Sequence, residues 1–167
     1  MTERIEIDER LLAQAAELLE ACRARGETVT TAESCTGGLV AATLTAIAGS
    51  SDVFERGFVT YSNSAKSEML GVPFWLIERR GAVSEDVARA MAGGALTHSR
   101  ASLAVAVTGI AGPDGDTQEK PVGLVYFAAG RRDEAMRHEQ VLFGDLGRAE
   151  IRRRSVEGAL ALVLSLL

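Results

Sequence analysis

Residues 102–108 (SLAVAVT) form a nearly continuous apolar run that breaks directly into the Gly/Pro/Asp-rich stretch GIAGPDGDTQEKPVG. A short apolar run bounded by turn residues is the mark of a central strand covered on both faces. Such a strand needs helices on either side. From Asp8 to about Arg25, Leu11, Leu12, Ala15, Leu18, Leu19 and Cys22 fall on one helical face, with Asp8 as cap and Gly26 as terminator. Residues 27–32 (ETVTTA) read as a short strand, LVAATLTAIAG as a helix ending at Gly49, and residues 54–61 as a second strand. Helices are expected over 64–70, 73–80 and from Ser84 to about His98, the last with acids in its first turn. Residues 122–129 and 135–143 read as strands joined by a turn at GRRD, the second nearer an edge. A closing helix follows from about Asp145 or Leu146. Its end, ALALVLSLL, is too short to span a membrane and reads as buried. The order α β α β α α α β β β α predicts a three-layer α/β/α fold with a mixed, partly parallel sheet, as one domain over residues 1–167.

Composition narrows the function. A net charge of −5 over 167 residues argues against nucleic acid or an anionic membrane as partner. Two cysteines, Cys22 and Cys35, stand outside any CxxC pattern, and there are only two histidines, so no zinc site is expected. The opening residues MTERIEIDERLL carry no apolar signal core. A reduced, cytoplasmic setting without a disulfide is the expectation.

In sheets of this kind, ligands bind beyond the carboxyl ends of the strands. Three unusual loops fall at strand ends: ESCTGG, YSNSAK and TGIAGPDG. In parallel strands they would converge on one edge. Ser34, where a strand turns into a helix, serves either as a helix cap or as an exposed nucleophile or phosphate ligand near unpaired backbone N–H groups. Thr36 is the other capping candidate, and Gly37 and Gly38 leave room for a ligand. Cys35 is a rival nucleophile, since a thiolate at a helix N-terminus is activated. Lys66 falls in the first turn of the next helix, where the dipole would lower its pKa towards that of a general base; otherwise it is a solvated surface lysine. Tyr61 is either a proton relay or a core residue. Asn63, Thr108 and Gly109 join the candidate substrate-binding set. Lys120, the only other lysine, is placed to close over the glycine loop. Arg148 and Arg152, four apart near a helix start, suit a phosphate, whereas Arg153 and Arg154 read as a solvated face. His98 and His138 read as surface residues.

The stretches TAESCTGGLVA, GSSDVFERGFVTYSNSAK, GAVSEDVARAMA and VAVTGIAGPDGDTQEKPVGLVYFA together resemble the C-terminal domain of the competence/damage-inducible protein CinA. The resemblance runs from about Thr30 to the end. It implies hydrolysis of the carboxamide of nicotinamide mononucleotide to nicotinate mononucleotide and ammonia, in pyridine nucleotide salvage, without a metal or other cofactor. It places the family's nucleophilic serine on Ser34, its lysine on Lys66, its tyrosine on Tyr61 and its loop hydroxyl on Thr108. The family's arginine after a Gly-Asp pair falls on Arg148, although Leu146 and Gly147 stand between Asp145 and Arg148 here. The larger N-terminal domain of full-length CinA has no counterpart in this chain. The oxyanion is expected at amides opening the following helix or at the Gly109–Ile110 turn. The expected partners are the nucleotide substrate and a second copy of the chain, as a dimer. The alternatives are a non-catalytic nucleotide-sensing or protein-interaction module, and an amidase for another small amide.

Overall fold

Asp8 accepts a hydrogen bond from the Leu11 amide at 2.9 Å, starting helix α1 (Glu9–Arg25), and Gly26 closes it in the left-handed conformation. The computed structural model describes residues 4–167. Among these, the strands are β1 (Val29–Glu33), β2 (Phe54–Val59), β3 (Leu103–Gly109), β4 (Leu124–Arg131) and β5 (Arg137–Leu142). They form one sheet in the order β2-β1-β3-β4-β5. β2, β1 and β3 run parallel, and β3, β4 and β5 run antiparallel. The remaining helices are α2 (Leu39–Thr45), α3 (Asn63–Leu70), α4 (Phe74–Arg80), α5 (Glu85–Thr97) and α6 (Arg148–Leu164). None of the helices is long and apolar enough to cross a membrane, among the described residues.

The apolar run of β3 splits between two cores, as a strand's alternation requires. Leu103, Val105 and Val107 join Leu11, Leu18, Leu19, Val125, Phe127, Ile151 and Leu160 beneath α1, α2 and α6. Ala104 and Ala106 join Ala32, Ala128, Ala88, Met91, Ala92 and Ala95 beneath α3, α4 and α5. Small side chains on the second face let α5 lie close to the sheet. α5 is also close to α3: a Cβ at Gly94 would overlap the Leu70 carbonyl. Helix propensity alone favours alanine over glycine by about 1 kcal/mol. The overlap is with backbone and cannot be relieved by a rotamer change. Gly94→Ala should therefore lose about 2 kcal/mol net, read as a lower denaturation midpoint.

The three-layer α/β/α expectation agrees with this mixed sheet and its six helices. The strands are shifted or shortened by one to two residues at several ends, and two helix boundaries differ for a local reason. α2 stops at Thr45 rather than at Gly49. Thr43 and Thr45 turn their hydroxyls back onto the carbonyls of Leu39 and Ala41, a pattern that weakens helix continuation. A single 3-10 turn, Ser50–Asp52, follows. α6 starts at Arg148, because Gly147 before it adopts a positive φ of 89°. The carboxyl ends of β1, β2 and β3 share one edge, so the three loops singled out in the sequence converge there.

Candidate active site

Ser34 follows β1 directly. Its N–H donates to the Val107 carbonyl at 3.0 Å, so the residue is held as an extension of the β1–β3 ladder. The helix after it is not capped by a hydroxyl. Gly38 occupies the cap position of α2 and offers no side chain. The Glu33 carboxylate does that work. It accepts from the amides of Val40 (2.8 Å) and Ala41 (3.1 Å) and from the Thr36 hydroxyl (2.6 Å). Glu33 is buried, and a carboxylate at a helix N-terminus suits the dipole. Sequence reasoning missed it. The available signal was an acid between a buried strand and a glycine loop, with a hydroxyl three residues on. Glu33→Gln leaves amide donors facing an NH2 group and should cost about 2 kcal/mol, measurable as a lower Tm.

Because Glu33 satisfies α2, the Ser34 hydroxyl is free for another partner. Lys66 supplies it. The Lys66 Nζ lies 3.0 Å from Ser34 Oγ, and donates to the Thr60 carbonyl at 2.8 Å and the Tyr61 carbonyl at 3.4 Å. Lys66 is 1% exposed and forms no ion pair among the described residues. Burial lowers its pKa below the ordinary 10.5, with a small opposing influence from Cys35. The expected direction holds, but burial rather than the helix dipole causes it. The surface-lysine reading is excluded.

These groups sit in a cavity of about 250 Å³, which Asn63, Thr108, Gly109, Asp114 and Arg148 also line. Tyr61 lines it too, but its hydroxyl accepts from Arg148 Nη2 at 2.9 Å, and its contact with Lys66 runs through its carbonyl. That replaces the proton-relay reading with a hydroxyl engaged at the cavity mouth. Arg148 Nη1 also donates to the Gly112 carbonyl at 2.8 Å. Thr108 donates to the Ala82 carbonyl at 2.8 Å, tying β3 to the 81–83 turn. Gly109 is required by β4, since a Cβ there would come 2.7 Å from Val125 Cγ2.

Other expectations are corrected. Thr36 is buried on Glu33 and does not line the cavity. Gly37 and Gly38, at φ 60° and 102°, shape the loop rather than face the cavity. Arg152 holds the loop from behind, donating to the carbonyls of Cys35 (3.1 Å) and Thr36 (3.0 Å). The expected oxyanion donors are occupied as well. The Leu39 amide donates to Thr36, those of Val40 and Ala41 to Glu33, and that of Ile110 to the Leu124 carbonyl. Among the described residues, the cavity-lining amides of Cys35, Ala111 and Gly112 have no such partner. The Cys35 thiol is buried, and burial pushes its pKa up to about 12. It is therefore held as a thiol, not the activated thiolate of the rival reading. Both cysteines are free. His98 and His138 lie outside the cavity, on Gly94 and on Glu85 and Arg89. Arg154 pairs with Glu150 on an exposed helix face, as expected, whereas Arg153 is mostly buried between Glu150, Glu157 and the α1 cap residue Asp8, which overturns the solvated-face reading for it.

A family model described as the CinA C-terminal domain matches residues 11–167. The nicotinamide-nucleotide amidohydrolase PncC of Escherichia coli (strain K12) is 52% identical over 154 residues, which cover 92% of this chain and 92% of that protein. The protein of the same name from Enterobacter agglomerans is 52% identical over 139 residues, 83% of this chain and 85% of that one. Among solved structures, the competence/damage inducible protein CihA from Agrobacterium tumefaciens superposes with a TM-score of 0.93 at 48% identity, covering 99% of each chain.

Proposed function

This chain belongs to the CinA C-terminal domain family, and on that premise we propose that it hydrolyses the carboxamide of nicotinamide mononucleotide, with Ser34 as nucleophile and Lys66 as base. One observation carries the mechanism. A neutral amine has two N–H donors and one lone pair. The carbonyls of Thr60 and Tyr61 accept two hydrogen bonds from Lys66 Nζ, and the third direction points at Ser34 Oγ. Burial without a counter-charge favours the neutral form in which that direction is a lone pair.

Ser34 Oγ attacks the carboxamide carbon while its proton passes to Lys66 Nζ. The new C–O bond leaves a tetrahedral oxyanion, held by the unpartnered amides of Cys35, Ala111 and Gly112. The C–N bond then breaks. Lys66 returns the proton to the departing nitrogen, releasing ammonia and leaving an acyl ester on Ser34. Water, deprotonated by Lys66, attacks the ester. Its C–O bond breaks, the proton returns to Ser34, and nicotinate mononucleotide leaves. Arg148 fixes Tyr61 and the Gly112 carbonyl, so that Arg148, Tyr61 and Asn63 frame the mouth against the ribose. Arg152 and Glu33 are positioning residues for the Ser34 loop. A small nucleotide substrate and two free, buried thiols suit a cytoplasmic setting.

The deciding experiment is ammonia release from nicotinamide mononucleotide, with free nicotinamide and the dinucleotide as controls. One ammonia per mononucleotide consumed is expected. No ammonia from the purified chain, with nucleotide binding intact, would leave the sensor reading standing instead.

A further inference from the structure

The Ser34 hydroxyl can face the cavity in two ways, and Lys66 decides which. Two of the three directions open to Lys66 Nζ are taken by the carbonyls of Thr60 and Tyr61, and the third meets Ser34 Oγ at 3.0 Å. With a neutral amine, the serine proton turns onto the nitrogen lone pair and the oxygen lone pairs are left to the cavity. With an ammonium, the nitrogen donates to Oγ, and the O–H turns outward as a donor. The first form suits an electrophilic carbon and the second an anionic oxygen. We propose that the Ser34–Lys66 pair is therefore also a carboxylate receptor, which binds the acid product together with one proton, so that the product holds the enzyme with its base already charged. The proposal rests on the amidohydrolase reading for the identity of the acid.

Two further observations carry it. The first is the charge of the cavity. Besides Lys66, the ionisable groups lining it are Cys35, Tyr61, Asp114 and Arg148. Burial keeps the Cys35 thiol protonated, the Tyr61 hydroxyl accepts from Arg148, and the formal charges of Asp114 and Arg148 cancel. With Lys66 neutral, the lining carries no net charge and fits a carboxamide. With Lys66 charged, it carries one positive charge and fits a carboxylate. Charged groups on the neighbouring elements do not alter this. Glu33 faces the α2 amides, Glu85 pairs with Arg89 and His138, Asp86 pairs with Arg80, and Glu68 and Glu78 are exposed. Among the described residues Lys66 has no counter-ion, and a ligand's carboxylate would be its first.

The second is the proton balance of the reaction. The water that cleaves the acyl ester gives one hydrogen to Lys66, which passes it to Ser34, and keeps the other on the new carboxyl group. A carboxyl group is a far stronger acid than an ammonium, even one whose pKa burial has lowered. The O–H bond of the new acid therefore breaks in place, and its proton forms an N–H bond on Lys66. The carboxylate keeps one oxygen at the unpartnered amides of Cys35, Ala111 and Gly112 and turns the other to the Ser34 O–H. Where free Lys66 is neutral, release of the product sends that proton to solvent, and binding of the product takes one up. The bound acid thus stabilises the form of the enzyme that cannot accept the serine proton, and its grip weakens as pH rises, since the complex holds more protons than the free protein.

The test is calorimetry of nicotinate mononucleotide on the unmodified protein, from about pH 6 to about pH 10, in pairs of buffers with different ionisation enthalpies. The dependence of the heat on the buffer counts the protons taken up. The comparator is the mononucleotide of 3-hydroxymethylpyridine, which shares the ring charge and the phosphate but is neutral and unhydrolysable where the acid is charged. The acid should take up close to one proton more than the comparator in a window below the ordinary lysine value. Across that window its Kd should rise relative to the comparator's by up to about tenfold per pH unit. In Lys66→Met the excess uptake should vanish. No excess at any pH, an excess that survives in Lys66→Met, or failure of the acid to bind overturns the proposal. The first and last of these need only the unmodified protein, so they do not depend on how the variant folds. Ammonia release scores the catalytic reading separately. Release without excess uptake would sink the receptor alone, and excess uptake without release would sink the catalytic reading alone.

Discussion

Ser34→Ala should abolish ammonia release, by about 10⁴-fold or more, while nucleotide binding survives. The reason is local. The hydroxyl caps no helix and holds no loop. Those tasks fall to the Glu33 carboxylate, and to Arg152 on the carbonyls of Cys35 and Thr36. Its one side-chain contact is Lys66 at 3.0 Å. Removing one oxygen should therefore leave the fold within about 0.5 kcal/mol of the parent and take away only the bond-forming atom. Ammonia release and calorimetric binding, run on one preparation, read both quantities. Activity near the parent level would move the nucleophile elsewhere. Cys35 would not be the obvious heir, since burial pushes the pKa of its thiol up to about 12.

Lys66→Met should lower kcat by about 10²–10⁴, the usual contribution of a positioned base. The pH profile separates base from prop. Burial lowers the Lys66 pKa below 10.5, and only the neutral amine can take the serine proton. In the parent, kcat/KM should rise with pH through that lowered value and then level off. In the variant, this ascending limb should disappear. A flat parent profile would count against the mechanism.

Stability supplies an independent reading of the same group. Below its folded pKa, Lys66 is charged in both states, and the folded form bears the full cost of a buried charge. As pH rises from that folded value to 10.5, the unfolded chain holds the extra proton, so stability increases. Above 10.5 the cost is gone. The Tm of the parent should therefore gain on that of Lys66→Met as pH climbs through this window. A Tm difference independent of pH would mean that the lysine is not being discharged by burial.

Much of the fold was legible because local patterns and long-range packing agree. Asp8, Ser84 and Gly26 mark helix ends at the positions where the structure places them. The apolar run at 102–108 became the middle strand of the sheet, since an uninterrupted apolar strand can be satisfied only when both faces are covered. The end of α2 was less legible. Its stop at Thr45 was decided by hydroxyl back-bonding and by the turn that feeds β2, neither of which apolar periodicity encodes.

At the site, sequence order brought Ser34, Lys66, Thr108 and Arg148 to one edge, because three parallel strands must end together. It could not say which way each side chain turns. Thr36 and Arg152 look like ligand contacts in the chain, and both face inward to hold the loop. Tyr61 looks like a relay, and its hydroxyl is taken by Arg148. Glu33 carries no such mark in the sequence, yet its carboxylate frees Ser34 from capping. The chain by itself therefore determined the layers, the parallel portion of the sheet that gathers the loops, and the residue types available for chemistry. These follow from periodicity and turn chemistry, which are local. Only the tertiary structure decided the protonation environment of Lys66 and the division between residues that face the cavity and residues that brace it. Burial and hydrogen-bond partnership are properties of groups brought together from 32 positions apart (Ser34 with Lys66) to 117 (Cys35 with Arg152), and no local pattern contains them.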